Sequence, residues 1–202
     1  LLFHPDLLHG FPLEKHIKDY SFFEYRINEA LHMTGEEHDM IVSLMLQIRD
    51  EISKRHDGLQ NAILVGYIEL MLNFCQRFYN RQFMTRRIEN SDILVRFDRL
   101  LRDYFEDKLQ LTHGLPTVQY CADKLCLSAN YFGDVIKKAT GDTASNHIRK
   151  SVIRLAKNGL AAGETVAQVS DMLGFEYPQH FSRMFKKQEG ITPSEYCRRL
   201  RL

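Results

Sequence analysis

One pattern is laid down twice in the C-terminal half of this 202-residue chain. Thr117-Val118 through Asp123 to Leu125 returns as Thr165-Val166 through Asp171 to Leu173, 48 residues further on. Phe132, Lys137, Lys138 and Gly141 then return as Phe181, Lys186, Lys187 and Gly190 at an offset of 49, so one residue has been inserted between the paired segments, where length changes are tolerated. Each copy reads as a short helix, a turn, and a helix with an apolar underside ending in Lys-Lys. That plan is a helix-turn-helix, and its duplication limits this half of the chain to helical solutions.

At the helical period, Phe181, Met184 and Phe185 fall on one side of the second long helix. Gln179, Ser182, Arg183 and Lys186 fall on the other. In the first copy Phe132, Val135 and Ile136 face inward, while Asn130, Gly133, Asp134 and Lys137 face outward. The outer face of the second helix carries groups that hydrogen-bond base edges and neutralise phosphate, on an element narrow enough for a major groove. Gly174 is suited to a left-handed stop between the helices of the second copy, and Cys126 holds the matching place in the first. Ser128 is placed to cap the first outward helix.

The run Gly174-Phe175, Phe181-Ser182-Arg183, Phe185-Lys186-Lys187, Gly190, Thr192-Pro193 and Tyr196 resembles the signature of the AraC/XylS transcription regulators. The resemblance covers roughly residues 91–202 and implies two helix-turn-helix units (about 117–139 and 165–188) joined by a central helix. It implies an activator of transcription, with an N-terminal sensor barrel for a small-molecule effector and helices used for dimerisation. The chain departs from the family at Gly133 and Asp134, where members often carry Arg, Gln or Ser. Gly133 has no side chain to read a base, and Asp134 repels phosphate, though a carboxylate can accept from cytosine N4.

Charge is divided unevenly. Residues 93–202 carry 17 Lys/Arg against 12 Asp/Glu, and residues 1–92 carry 10 against 14. A basic half suits a phosphate backbone. Cys75, Cys121, Cys126 and Cys197 form no Cys-x-x-Cys pair and read as reduced, mostly buried thiols of a cytoplasmic protein. His4, His9, His16, His32 and His38 cluster early without a His-Glu-x-x-His pattern. Nucleophile and phosphate-loop motifs are missing as well, so the reading is no metal, no cofactor and no enzyme. No apolar run approaches the roughly 18 residues of a membrane span.

The fold expected is all-α: a helical hairpin, with remnant short strands before it, then a double helix-turn-helix domain around a central helix. Residues 1–33 hold Leu2–Leu8 and Ser21–Tyr25 as short strand candidates, a remnant of a sensor domain. The opening Leu1-Leu2-Phe3, without an initiator Met, reads as a piece of a longer protein. Residues 34–80 are a hairpin for dimerisation or signal coupling, opened by a capping box at Thr34 and Glu37 and broken at His56-Asp57-Gly58. Its apolar stripe, Ile41, Leu44, Met45, Ile48, Ile63, Tyr67, Leu70, Met71 and Phe74, needs a cover, which is either the sensor or a second copy in a homodimer. Residues 81–92, with Arg86-Arg87, read as a linker; Ile93–Leu109 is a helix with Leu94, Phe97, Leu101, Tyr104 and Phe105 inward. Thr143–Leu160 is the central helix, ended by Gly159 and Gly163.

The candidate partner is double-stranded DNA. Arg183 is the prime base reader, with Gln179 and Ser182 beside it and His180 toward phosphate; Asn130 has readout chemistry in the first unit. Lys137, Lys138, Lys186 and Lys187 suit phosphate, and Thr117 and Thr165 open helices whose free amides favour an anion. Arg149, Lys150, Arg154 and the run Arg198-Arg199-Leu200-Arg201 are further backbone candidates. The competing reading is a helical protein-interaction module without DNA binding.

Overall fold

A computed structural model shows two compact units, Leu1–Arg87 and Ile88–Leu202. The structure describes residues 1–85 and 87–200, with the backbone alone at 87–91. Among the described residues every regular element is helical.

In the first unit, α2 (Gly35–Ile52) and α3 (Gln60–Thr85) form the expected hairpin. Thr34 and Glu37 make their capping box, each side chain accepting from the other's backbone N–H. The bend is held by Asp57, whose carboxylate accepts from the N–H groups of Leu59 and Gln60. Gln60 in turn donates from Nε2 to the Glu51 carbonyl at 2.8 Å, tying the two helix ends together.

Residues 1–33 form single helical turns, not strands: Pro5–Leu8, α1 (Leu13–His16), Ile17–Asp19, Ser21–Glu24 and Ile27–Glu29. They lie against the hairpin. Leu8, Leu13 and Tyr20 share one buried cluster with Ile48, Leu64, Val65, Ile68 and Leu72, the Tyr20 hydroxyl donates to Asn73, and Phe22 stacks on Tyr79. The strand reading fails because these segments turn their apolar groups onto a helix face, and among the described residues no strand is present to pair with.

Residues 81–92, read as a linker, hold the boundary between the two units, but the hairpin helix runs into them. Arg81 makes a bidentate ion pair with Glu37 and donates to the His32 carbonyl, and Gln82 and Phe83 are buried. These contacts carry α3 six residues past Tyr79, where polarity alone suggested a stop. The chain is helical again from Arg87, and Arg86 lies outside the described residues.

The second unit is built from α4 (Arg87–Glu106), α5 (Gln110–His113), α6 (Val118–Lys124), α7 (Ala129–Thr140), α8 (Ala144–Ala161), α9 (Val166–Met172), α10 (Pro178–Glu189) and α11 (Pro193–Leu200). One apolar cluster runs through it. Phe97 and Leu101 of α4, Phe132 and Ile136 of α7, Val152 and Ala156 of α8, and Phe181 and Phe185 of α10 belong to a single core. Phe97 meets Phe132 edge to face at 4.9 Å. α8 is the continuous connector expected, opened by a Thr143 cap. Gly159 lies inside its last turn, where a Cβ would crowd Glu164 and Val169, so α9 packs close to α8 at this point; Gly163 makes the actual stop.

The two turns repeat the same backbone with different tolerances. Gly174 has φ 78° and Cys126 has φ 61°, so both chains reverse through the left-handed region. Cys126 is exposed and pays the modest strain of that conformation. Gly174 has no such latitude. A Cβ there would fall on the Gln110 carbonyl, 2.8 Å from its carbon and nearer still to its oxygen. Gln110 also donates from Nε2 to the Met172 carbonyl, pinning α5 to the turn.

Gly174→Ala is therefore expected to cost about 2–4 kcal/mol, combining left-handed strain with a backbone clash. Cys126→Gly should change stability by less than about 1 kcal/mol, since strain relief and added unfolded-state entropy oppose each other. Chemical denaturation midpoints of the two variants check the contrast.

Candidate nucleic-acid interface

The repeat places its two long helices in matched surroundings. Ser128 caps α7 by accepting from Tyr131 N–H, and Pro178 occupies the first turn of α10, where its missing N–H costs nothing. Both helices end in left-handed glycines, Gly141 at φ 75° and Gly190 at φ 77°. Phe132, Val135 and Ile136 in one copy, and Phe181 and Phe185 in the other, are fully buried. With those undersides fixed, the opposite faces must point to solvent.

On α10 the outward side chains Gln179, His180, Arg183, Lys186 and Lys187 are exposed, and Ser182 is half-buried. Two carboxylates that follow Arg183 in sequence are engaged elsewhere. Glu189 pairs with Lys157, and Glu195 accepts from the Thr192 N–H and hydroxyl, which holds its carboxyl below the usual range. Among the described residues no ion pair engages Arg183. Arg149 of α8 joins His180, Arg183, Met184, Lys187 and Gln188 around a shallow basic cleft of about 330 Å³. Arg149 was legible as a backbone candidate; its convergence with His180 and Gln188 was not, because it depends on how α8 and α10 cross.

A polar chain fixes that crossing. Gln188 donates to Asn146, Asn146 donates to both Asp142 oxygens, and Lys150 pairs with Asp142 at 2.7 Å. The Lys150 contact, with help from Asn146, lowers the Asp142 pKa. The residue leaving α7 is thereby linked to the last turn of α10 through the start of α8.

The face of α7 is plainer. Asn130, Lys137 and Lys138 are exposed, and Gly133 and Asp134 are half-buried. Tyr131, in register with exposed His180, is buried. Thr117 and Thr165 are exposed, but their hydroxyls accept from Tyr120 and Gln168 N–H groups as ordinary helix caps. Arg154 donates to Ser151, and Arg198 and Arg199 are exposed on α11; Arg201 lies outside the described residues.

In the first unit, Ile41, Leu44, Ile48 and Met71 are spent in the hairpin core and Tyr67 and Phe74 are partly covered. Met45, Ile63 and Leu70 remain exposed. The early histidines sit apart, His9 against Glu14, His16 against Glu69 and His38 against Asp39, and no group that could hold a metal ion occurs among the described residues. Among those residues, too, no helix is long and apolar enough to cross a membrane.

A family model for the helix-turn-helix domain matches residues 121–199, and the relatives are regulators. Residues 121–199 are an AraC-type helix-turn-helix domain. The chain is 28% identical over 158 residues to the MmsAB operon regulatory protein of Pseudomonas aeruginosa, covering 73% of this chain and 51% of that protein. It is 33% identical over 181 residues to the HTH-type transcriptional regulator YtdP of Bacillus subtilis, covering 86% of this chain and 21% of the relative. The chain thus spans about half, or less, of the curated relatives it matches. Among solved structures, the C-terminal domain of the two-component response regulator YesN from Fusobacterium nucleatum is 26% identical, covers 50% of this chain and 96% of its own, and has a TM-score of 0.42.

The cysteines of the AraC-type domain differ sharply in accessibility. Cys126 is exposed on its turn, whereas burial pushes the Cys121 thiol up to about 12. Alkylation at pH 8 followed by mass spectrometry should modify Cys126 in the native protein and Cys121 only after unfolding.

Proposed function

We propose that this chain is the DNA-binding and coupling portion of a sequence-specific transcription regulator acting on double-stranded DNA. The observation that carries the reading is the solvent face of α10. Gln179, His180, Arg183, Lys186 and Lys187 stand free of the core while Phe181 and Phe185 are fully buried beneath them. An Arg on such a face can pair bidentately with guanine O6 and N7, and the lysines near the helix end can meet phosphates.

In this reading α7 and α10 approach successive major grooves on one side of the duplex, about 34 Å apart, with α8 as the spacer. Arg149 and His180 at the shallow cleft suit the backbone beside the groove that α10 enters. The exposed Met45, Ile63 and Leu70 of the hairpin are the part of the apolar stripe left for a homodimer contact. Activation of transcription, response to a small-molecule effector through an N-terminal sensor, and a cytoplasmic setting follow from family resemblance. A catalytic role has no support in the site, whose outward groups are dispersed over one helix face with no nucleophile and base paired.

Binding should weaken steeply with salt as condensed counterions are displaced from the neutralised phosphates. Arg183→Ala should cost about 1–3 kcal/mol on the preferred site and relax specificity at one base pair. Lys187→Ala should weaken all sequences alike and reduce the salt slope by about 1. Electrophoretic shifts on matched and mismatched duplexes measure both. Equal losses for both variants on every sequence would reject the assignment of Arg183.

A further inference from the structure

Superposing the repeat in register sets each outward residue of α7 against its counterpart on α10. Asn130 matches Gln179, Gly133 matches Ser182, Asp134 matches Arg183, and Lys137 and Lys138 match Lys186 and Lys187. The two ends of each helix are alike, and the middle is not. The middle of the outward face holds Ser-Arg in one unit and Gly-Asp in the other.

Each difference has a chemical consequence. Gly133 offers no side chain at all, and a Cβ there would meet nothing within 4 Å, so packing does not require the glycine. Asp134 is half-buried and opposes phosphate where Arg183 would attract it. Tyr131 is buried in the core, while its counterpart His180 stands at the rim of the basic cleft with Arg149. In register with α10, the outward groups that α7 does expose are Asn130 near its start and Lys137 and Lys138 in its last turn. An amide beside a helix N-terminus and lysines at the far end are groups that position a protein on a sugar-phosphate backbone.

We propose that this chain reads sequence in one major groove only. The second unit, through Gln179, Ser182 and Arg183, supplies base readout, and the first unit grips the neighbouring groove through its phosphates without regard to sequence. The DNA ligand is then asymmetric: a single short informative run beside a stretch, about one helical turn away, whose composition is immaterial. This rests on the regulator reading above and specifies its target.

Selection of duplexes from a random library by the 202-residue chain tests it. The expected product is one contiguous informative run per bound chain. Arg183→Ala should flatten part of that run and lower affinity for the selected site about tenfold to a hundredfold. Asn130→Ala should weaken every sequence by the same factor. The double variant Gly133→Ser, Asp134→Arg supplies the missing groups, the serine into open space and the arginine in place of half-buried Asp134, and a second informative run should appear about 10 base pairs from the first. Circular dichroism of that variant should match the parent.

Two informative runs selected by the parent chain, one of them erased by Asn130→Ala, would overturn the proposal while leaving the regulator reading intact. A folded double variant that selects no second run would also overturn it. A library from which no duplex is retained would overturn both readings together.

Discussion

Everything the second unit can do depends on one continuous apolar core shared by both repeats. Phe132 and Ile136 from α7 and Phe181 and Phe185 from α10 are sealed in the same cluster as Val152 and Ala156 of the connector. Neither α7 nor α10 could form alone, since a twelve-residue segment is marginal as a helix in water and must borrow stability from packing. Sharing a core means that the angle and spacing between the helices are decided by side chains buried away from their outward faces. Close packing makes that geometry stiff, because interiors of this density do not deform continuously.

Polar contacts refine what the core sets. The relay from Lys150 and Asp142 through Asn146 to Gln188 ties the exit of α7 to the end of α10 at hydrogen-bond precision. Lys150 is exposed and the other members are half-buried, so the relay adds modest stability. Their effect is on orientation. The Lys157–Glu189 pair and the His147–Asp98 contact at 2.8 Å brace α8 in the same way, against α10 on one side and α4 on the other.

Much of this was legible in the residues. Periodicity exposed the undersides of α7 and α10, because amphipathic helices announce their buried stripe. Thr34 with Glu37, and Thr143, announced helix starts through short-range chemistry that needs no tertiary information. Illegible parts depend on distant partners. Arg81 looked like the beginning of a polar linker until Glu37 and the His32 carbonyl stood beside it. Leu2–Leu8 looked like a strand because an apolar run that short has no period of its own, and only the presence of a helix face settles what it packs against. Gly159 looked like a stop and proved to be a close-packing position, a role set by Glu164 and Val169.

The unequal turns differ in what they demand of a residue. Position 174 is closed to every side chain by the carbonyl of Gln110, while position 126 opens onto solvent and holds cysteine. The same backbone reversal thus leaves a glycine as its mark in one copy and no fixed residue type in the other. Two turns alike in space can for that reason look unlike on the page.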